Sequence, residues 1–139
     1  MLVQSYLSFE GRCEEAIEFY KRAVGAEVQM LMRYKDSPEP PPEGSLKPGT
    51  ENKVMHSTLK IGDSIVMASD GHCMGQAQFK GFGLAITVTT TAAAEKAFKA
   101  LSEGGEVTMP LAKTFWSPSF GMVTDKFGLC WMVNCVPPQ

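Results

Sequence analysis

Val3, Ser5, Leu7 and Phe9 alternate with Gln4, Tyr6 and Ser8, so residues 2–9 read as a strand with one packed and one semi-polar face. The period then changes. Ala16, Ile17, Tyr20, Ala23 and Val24 form a helical stripe over residues 14–24, and Gly25 supplies the stop. Residues 27–34 predict a second strand. Five prolines between 36 and 50 (Pro38, Pro40, Pro41, Pro42, Pro48) exclude a sheet and predict a long loop. Strands resume at 53–61 and 64–69 around a Gly62-Asp63 turn, and a further loop covers 70–80. The order then repeats: a strand at 82–88, a helix at 92–102 capped by Thr90 or Thr91 and ended by Gly104-Gly105, and strands at 106–111, 115–124 and 129–136. Asp125 to Gly128 makes the tight turn before the last strand.

The halves also match in letters. Phe19, Gly25, Glu27 and Val28 coincide with Phe98, Gly104, Glu106 and Val107 at the constant offset of 79, and Ile65–Ser69 parallels Cys130–Asn134. Matching element order makes duplication a better account than chance similarity of two amphipathic helices. The expectation is an α+β fold: one domain over 1–139, with module 1 at about 1–70, module 2 at about 81–139 and the loop 70–80 between them. Each module has the order βαβββ, its helix covers one sheet face, and the remaining faces curl around a cleft, the default place for a ligand.

A length of 139 residues suits a single domain with a real core. A net charge of −2 leaves no basic footprint for a phosphate backbone, so nucleic acid is not an expected partner. No apolar run is long enough for a membrane span, and the first residues lack the basic and apolar regions of a signal peptide, which predicts a cytoplasmic protein. Cys13, Cys73, Cys130 and Cys135 form no C-x-x-C pair and are expected to be free thiols in a reducing compartment.

The stretch Ala16-Ile17-Glu18-Phe19-Tyr20 followed by Gly25-Ala26-Glu27 resembles the opening of vicinal oxygen chelate modules. The segment from Thr114 to Gly128, with Trp131-Met132-Val133-Asn134 after it, resembles the PhnB-like branch of the glyoxalase/bleomycin-resistance superfamily, sometimes labelled 3-demethylubiquinone 3-methyltransferase. The resemblance covers essentially the whole chain and implies the glyoxalase/bleomycin-resistance/dioxygenase-like fold and a homodimer. It also implies four metal-ligand positions, on the first and last strand of each module. Counting along the chain puts Tyr6, Met67 (or Val66), Gly83 (or Phe82) and Met132 there. None is a good donor to a divalent ion, so no metal and no other cofactor is expected. The methyltransferase label finds no glycine-rich strand–turn–helix to cradle a nucleotide-like cofactor, because Gly81-Phe82-Gly83 precedes a strand.

The candidate site is therefore aromatic and methionine-lined: Tyr6, His56, Met67, Phe82, Trp116, Phe120 and Met132, with Tyr6 and His56 as its catalytic candidates. His56, expected to face the same way as Val54 and Thr58, can act as a general base; a strand histidine at a cleft edge or dimer contact is the plainer account. Trp131 is another aromatic near the cleft, although it alternates out of phase with Met132, so that one of the two faces away. Asp125 stands in the family segment, yet a turn aspartate accepting backbone N–H groups accounts for it equally. Asp70, His72 and Cys73 offer a soft-metal cluster whose adjacent side chains diverge, against which stands an ordinary exposed loop. Two functions compete: metal-free binding of a small planar organic ligand, and a divalent-metal-dependent lyase, isomerase or dioxygenase of the glyoxalase type with relocated ligands. A domain whose pocket is vestigial and whose role is protein–protein contact is a third.

Overall fold

The computed structural model describes residues 1–39, 42, 44, 47–73 and 75–138, which divide into two compact units, Met1–Ala77 and Gln78–Gln139. The proline-rich loop expected at 36–50 lies partly outside the described residues.

In the first unit the order is β1 (Tyr6–Ser8), α1 (Cys13–Val24), β2 (Glu27–Arg33), β3 (Val54–Ile61) and β4 (Ser64–Ser69). The sheet runs β1-β4-β3-β2, with β1 parallel to β4 and the other pairs antiparallel. Leu7, Ala68, Ser57 and Leu59 are buried together with Cys13, Ala16, Ile17, Phe19 and Tyr20 of α1, so the helix stripe and one sheet face form this unit's core. Gly25 ends α1 in the left-handed region, with φ of 69°, where a side chain would be strained.

The second unit repeats the plan with β5 (Leu84–Val88), α2 (Thr91–Ser102), β6 (Glu106–Ala112), β7 (Phe120–Thr124) and β8 (Cys130–Cys135), in the sheet order β5-β8-β7-β6. Thr90 caps α2 by accepting a hydrogen bond from Ala93 N (3.1 Å). Phe98, Leu101 and Ala94 pack from α2 onto the sheet, and Gly121 makes room for them: a Cβ there would lie 2.8 Å from the Phe98 ring. Each unit is thus a four-stranded mixed sheet with a helix on one face and the other face uncovered by that helix, as the alternation predicts.

Two strands, β1 and β7, fall well short of their patterns. β1 is confined to Tyr6–Ser8, and Val3, placed on the packed face by alternation, is 91% exposed. An edge strand is held from one side alone, and its pairing with β4 starts at Ser5, whose carbonyl accepts from Met67 N. β7 begins at Phe120 instead of 115. Thr114 Oγ1 accepts from Trp116 N and Ser117 N, and Ser117 Oγ reaches the Cys135 carbonyl at 2.7 Å; these local bonds replace the ladder, and Pro118 has no N–H to offer it.

Candidate functional site

Residues directly opposite one another across a ladder share a face. On the face of the first sheet away from α1, the register lines up Tyr6, Met67, Thr58 and Met30. In the second sheet the same row reads Ala85, Met132, Met122 and Met109. Offset 79 carries Tyr6 to Ala85 and Met30 to Met109. The position equivalent to Tyr6 is consequently Ala85, not Gly83 or Phe82 as counting predicts. Gly83 serves packing: a Cβ there would come within 2.9 Å of the Cys130 carbonyl oxygen. Phe82 precedes β5 and packs edge-on against Phe79, with ring centroids 6.2 Å apart.

Tyr6 and His56 come together. The phenol oxygen lies 3.3 Å from His56 Nδ1, and His56 Nε2 lies 3.4 Å from Thr58 Oγ1. Both contacts are satisfied when the phenol donates to Nδ1 and Nε2–H donates to the threonine hydroxyl. Both are long and Tyr6 is half-exposed, so an incoming polar group can replace either. His56 does share its face with Thr58 but not with Val54, which is fully buried. Met32 pairs with His56 and Arg33 with Val54, leaving Met55 as an extra residue; this bulge reverses the alternation and turns Val54 into the core.

The second unit supplies the aromatic surface. Trp116 is half-exposed and meets Phe120 edge-on at 5.3 Å and the exposed Phe115 at 4.8 Å. The Thr114 and Ser117 hydroxyl bonds hold the loop that carries Trp116. Phe120 pairs with Asn134, two residues beyond Met132 on the same face of β8. The Met30, Met109 and Met122 thioethers and Asn134 were not singled out from the sequence; the repeat offset, applied beyond the helices, would have found Met109 from Met30.

Trp131 leaves the candidate set. It is 2% exposed on the helix side, and its Nε1 donates to Asp125 Oδ2 at 2.8 Å. Asp125 Oδ1 accepts from Phe127 N and Leu129 N, so this carboxylate organises the β7–β8 turn. Asp70 has a comparable role in the first unit: Oδ1 accepts from Cys13 N and Oδ2 from Val54 N, each at 2.7 Å. With both oxygens engaged it is no ready metal ligand. Burial and the Asp70 charge push the Cys73 thiol up, opposing the thiolate a soft metal needs, and His72 is exposed. Among the described residues no group of three or more His, Cys, Asp or Glu could hold a metal ion. Tyr6, Met67, Ala85 and Met132, at the positions where the resemblance implies metal ligands, offer a phenol, two thioethers and a methyl, which do not fit a divalent ion.

Cys13, at the first turn of α1, is fully buried, and burial followed by the Asp70 charge pushes its thiol up to about 12. In the unfolded chain it ionises from about 9. The folded state therefore holds the proton longer, and stability should fall as pH rises from 9 toward 12, with no change below that window. Denaturant melts between pH 8 and pH 10.5 should show a shallower decline in Cys13→Ala than in the parent, and iodoacetamide should leave Cys13 unlabelled until the chain unfolds.

A family model described as 3-demethylubiquinone-9 3-methyltransferase matches residues 2–134. Protein YjdN of Escherichia coli strain K12 is 36% identical, the match covering 100% of this chain and 98% of that protein. A crystal structure of a Pseudomonas aeruginosa protein is 40% identical, covers 99% of both chains and superposes with a TM-score of 0.84. The PhnB protein of Bacillus cereus, described as a putative 3-demethylubiquinone-9 3-methyltransferase, is 26% identical over 98% of this chain and 100% of its own, with a TM-score of 0.79.

Proposed function

The chain belongs to the family described as 3-demethylubiquinone-9 3-methyltransferase, a PhnB-like branch of the glyoxalase/bleomycin-resistance superfamily, and from that premise we propose that it binds a small planar organic ligand without a metal ion. The observation that carries this reading is the pair of equivalent rows, Tyr6-Met67-Thr58-Met30 and Ala85-Met132-Met122-Met109. Two residues of the first row and three of the second are methionine, so each sheet by itself offers a soft and adaptable surface for an apolar ring. The four positions where the resemblance implies metal ligands carry neither imidazole nor carboxylate. Trp116 and Phe120 add ring faces and edges for stacking. A planar ring is also the class of substrate the family description names.

Polar recognition on the first sheet falls to Tyr6 and His56. Either can give up its present long hydrogen bond to a ligand, and any proton transfer on this face would use the imidazole as base and the phenol as its partner. Methyl transfer is not part of this reading, since Gly81 and Gly83 lead into a strand and not into a helix that would hold a nucleotide-like cofactor.

A thermal-shift screen of planar aromatic compounds should find binders. For the compound giving the largest shift, Tyr6→Phe should change affinity by about 1 kcal/mol, the net worth of one hydrogen bond, and leave the melting temperature of the free protein within about 2 °C. Metal analysis of protein purified without chelator should show no stoichiometric divalent ion. A retained ion, or an activity lost with chelator and restored by metal, would overturn the reading.

A further inference from the structure

We propose that Asn134 is a specificity residue of the second sheet's open face, accepting a hydrogen bond from an N–H or O–H group on the edge of a planar ligand stacked against Phe120 and Trp116. This rests on the reading of that face as a ligand platform and names the polar feature the ligand must carry.

The argument begins with an orphan. Asn134 Oδ1 is buried and has no hydrogen-bond partner among the described residues. Leaving such an acceptor unpaired costs free energy, which is why buried polar atoms are nearly always satisfied, by protein groups, water or a ligand. Its place is also informative. Asn134 lies between Thr87 on β5 and Phe120 on β7, and the Phe120 ring meets Trp116 edge-on. It is one step along β8 from Met132 on the same face, so the amide borders both the aromatic pair and the methionine row.

The repeat supplies a control within the same molecule. The residue equivalent to Asn134 in the first unit is Ser69, since Met67 and Met132 occupy matching rows. Ser69 is satisfied twice over: its hydroxyl donates to the Met55 carbonyl at 2.7 Å and accepts from Gly71 N at 2.9 Å. The same position is therefore closed by its own chain in one module and left with an open acceptor in the other. A buried acceptor beside an aromatic edge selects rings that carry a donor, such as phenols, anilines or protonated heterocycles, over equally shaped rings that lack one.

Two probes of matched shape test this by calorimetry: 2-naphthol, which has a donor, and 2-methoxynaphthalene, which has none. The parent protein should bind 2-naphthol roughly tenfold more tightly. Asn134→Leu should bring the ratio of the two affinities close to one, and its melting temperature should match or exceed the parent's, because it removes an unsatisfied group. Asn134→Ala deletes the amide without adding bulk and should give the same ratio if the leucine variant does not fold. An unchanged ratio in the variants, or no preference in the parent, overturns the role of Asn134 and leaves the platform intact. A melting temperature lowered by more than about 5 °C in both variants also overturns it, by showing that the amide already has a structural partner. Failure of both probes to bind the parent overturns the platform and the Asn134 assignment together.

Discussion

Asp125→Ala should lower the stability of the protein by about 4 kcal/mol while leaving ligand affinity unchanged in whatever fraction stays folded. The carboxylate is 3% exposed and accepts from Phe127 N at 2.9 Å, Leu129 N at 3.1 Å and Trp131 Nε1 at 2.8 Å. Alanine strands all three donors in a place water does not easily reach, and each costs about 1–3 kcal/mol when unpaired. The turn joins β7 to β8, the central pair of the second sheet, so its loss is felt along both strands. In urea the midpoint should fall with the slope preserved, and on heating the transition should come roughly 10–15 °C lower. Trp131→Phe, which removes one of the three donors and shrinks a buried ring, should cost less, about 2 kcal/mol. If Asp125→Ala melts like the parent and loses ligand binding instead, the carboxylate is a site residue after all.

Asp70→Ala should cost about 3 kcal/mol and fray the start of α1. Arg12 stands at the N-cap position of this helix and provides no side-chain hydrogen bond to it. The capping group comes instead from the end of β4, where Asp70 accepts from Cys13 N through one oxygen and from Val54 N through the other. Its negative charge also lies at the positive end of the helix dipole. Removing it leaves two buried amides unpaired and frees the first turn. Hydrogen exchange should then rise at Cys13 through Ala16 before it rises elsewhere in the helix, and Cys13 should become open to alkylation. Asp70→Asn should lie between, because its amide offers one acceptor where two are needed. A carboxylate whose purpose was metal binding would behave differently: chelator would bring the parent to the stability of the variant. No such convergence is expected.

Both aspartates show where reading along the chain stops. The sequence alone places the two helices and the eight strands, because each depends on neighbours within a dozen residues, and the duplication, because the same local patterns recur at a fixed offset. The spacing of Ala16, Ile17, Tyr20 and Ala23 requires a helix with one apolar face, and Gly25 can end it wherever the rest of the chain goes. The alternation through Thr58, Leu59 and Lys60 likewise places Leu59 in the core. The family resemblance was legible for the same reason, since its motifs are local runs of letters. Tyr6 beside His56 is a different kind of fact. It follows from a parallel pairing of β1 with β4 and an antiparallel pairing of β4 with β3, and from a bulge at Met55 that no local pattern announces. A one-residue error in register moves every side chain to the other face, which is why counting reached Gly83 where the ladder puts Ala85. As letters, Asp70 and Asp125 read as open to chemistry because, the Trp131 indole apart, their partners are backbone amides, which carry no letter in a sequence; Cys13 is 57 positions away from Asp70. Trp131 and Met132 could be told apart in principle by alternation, but which of them met the helix depended on how α2 lay across β7 and β8. Asn134 is the clearest case: an asparagine in a strand announces nothing as a letter, and only the positions of its neighbours reveal that its oxygen is buried with nothing to bond among the described residues.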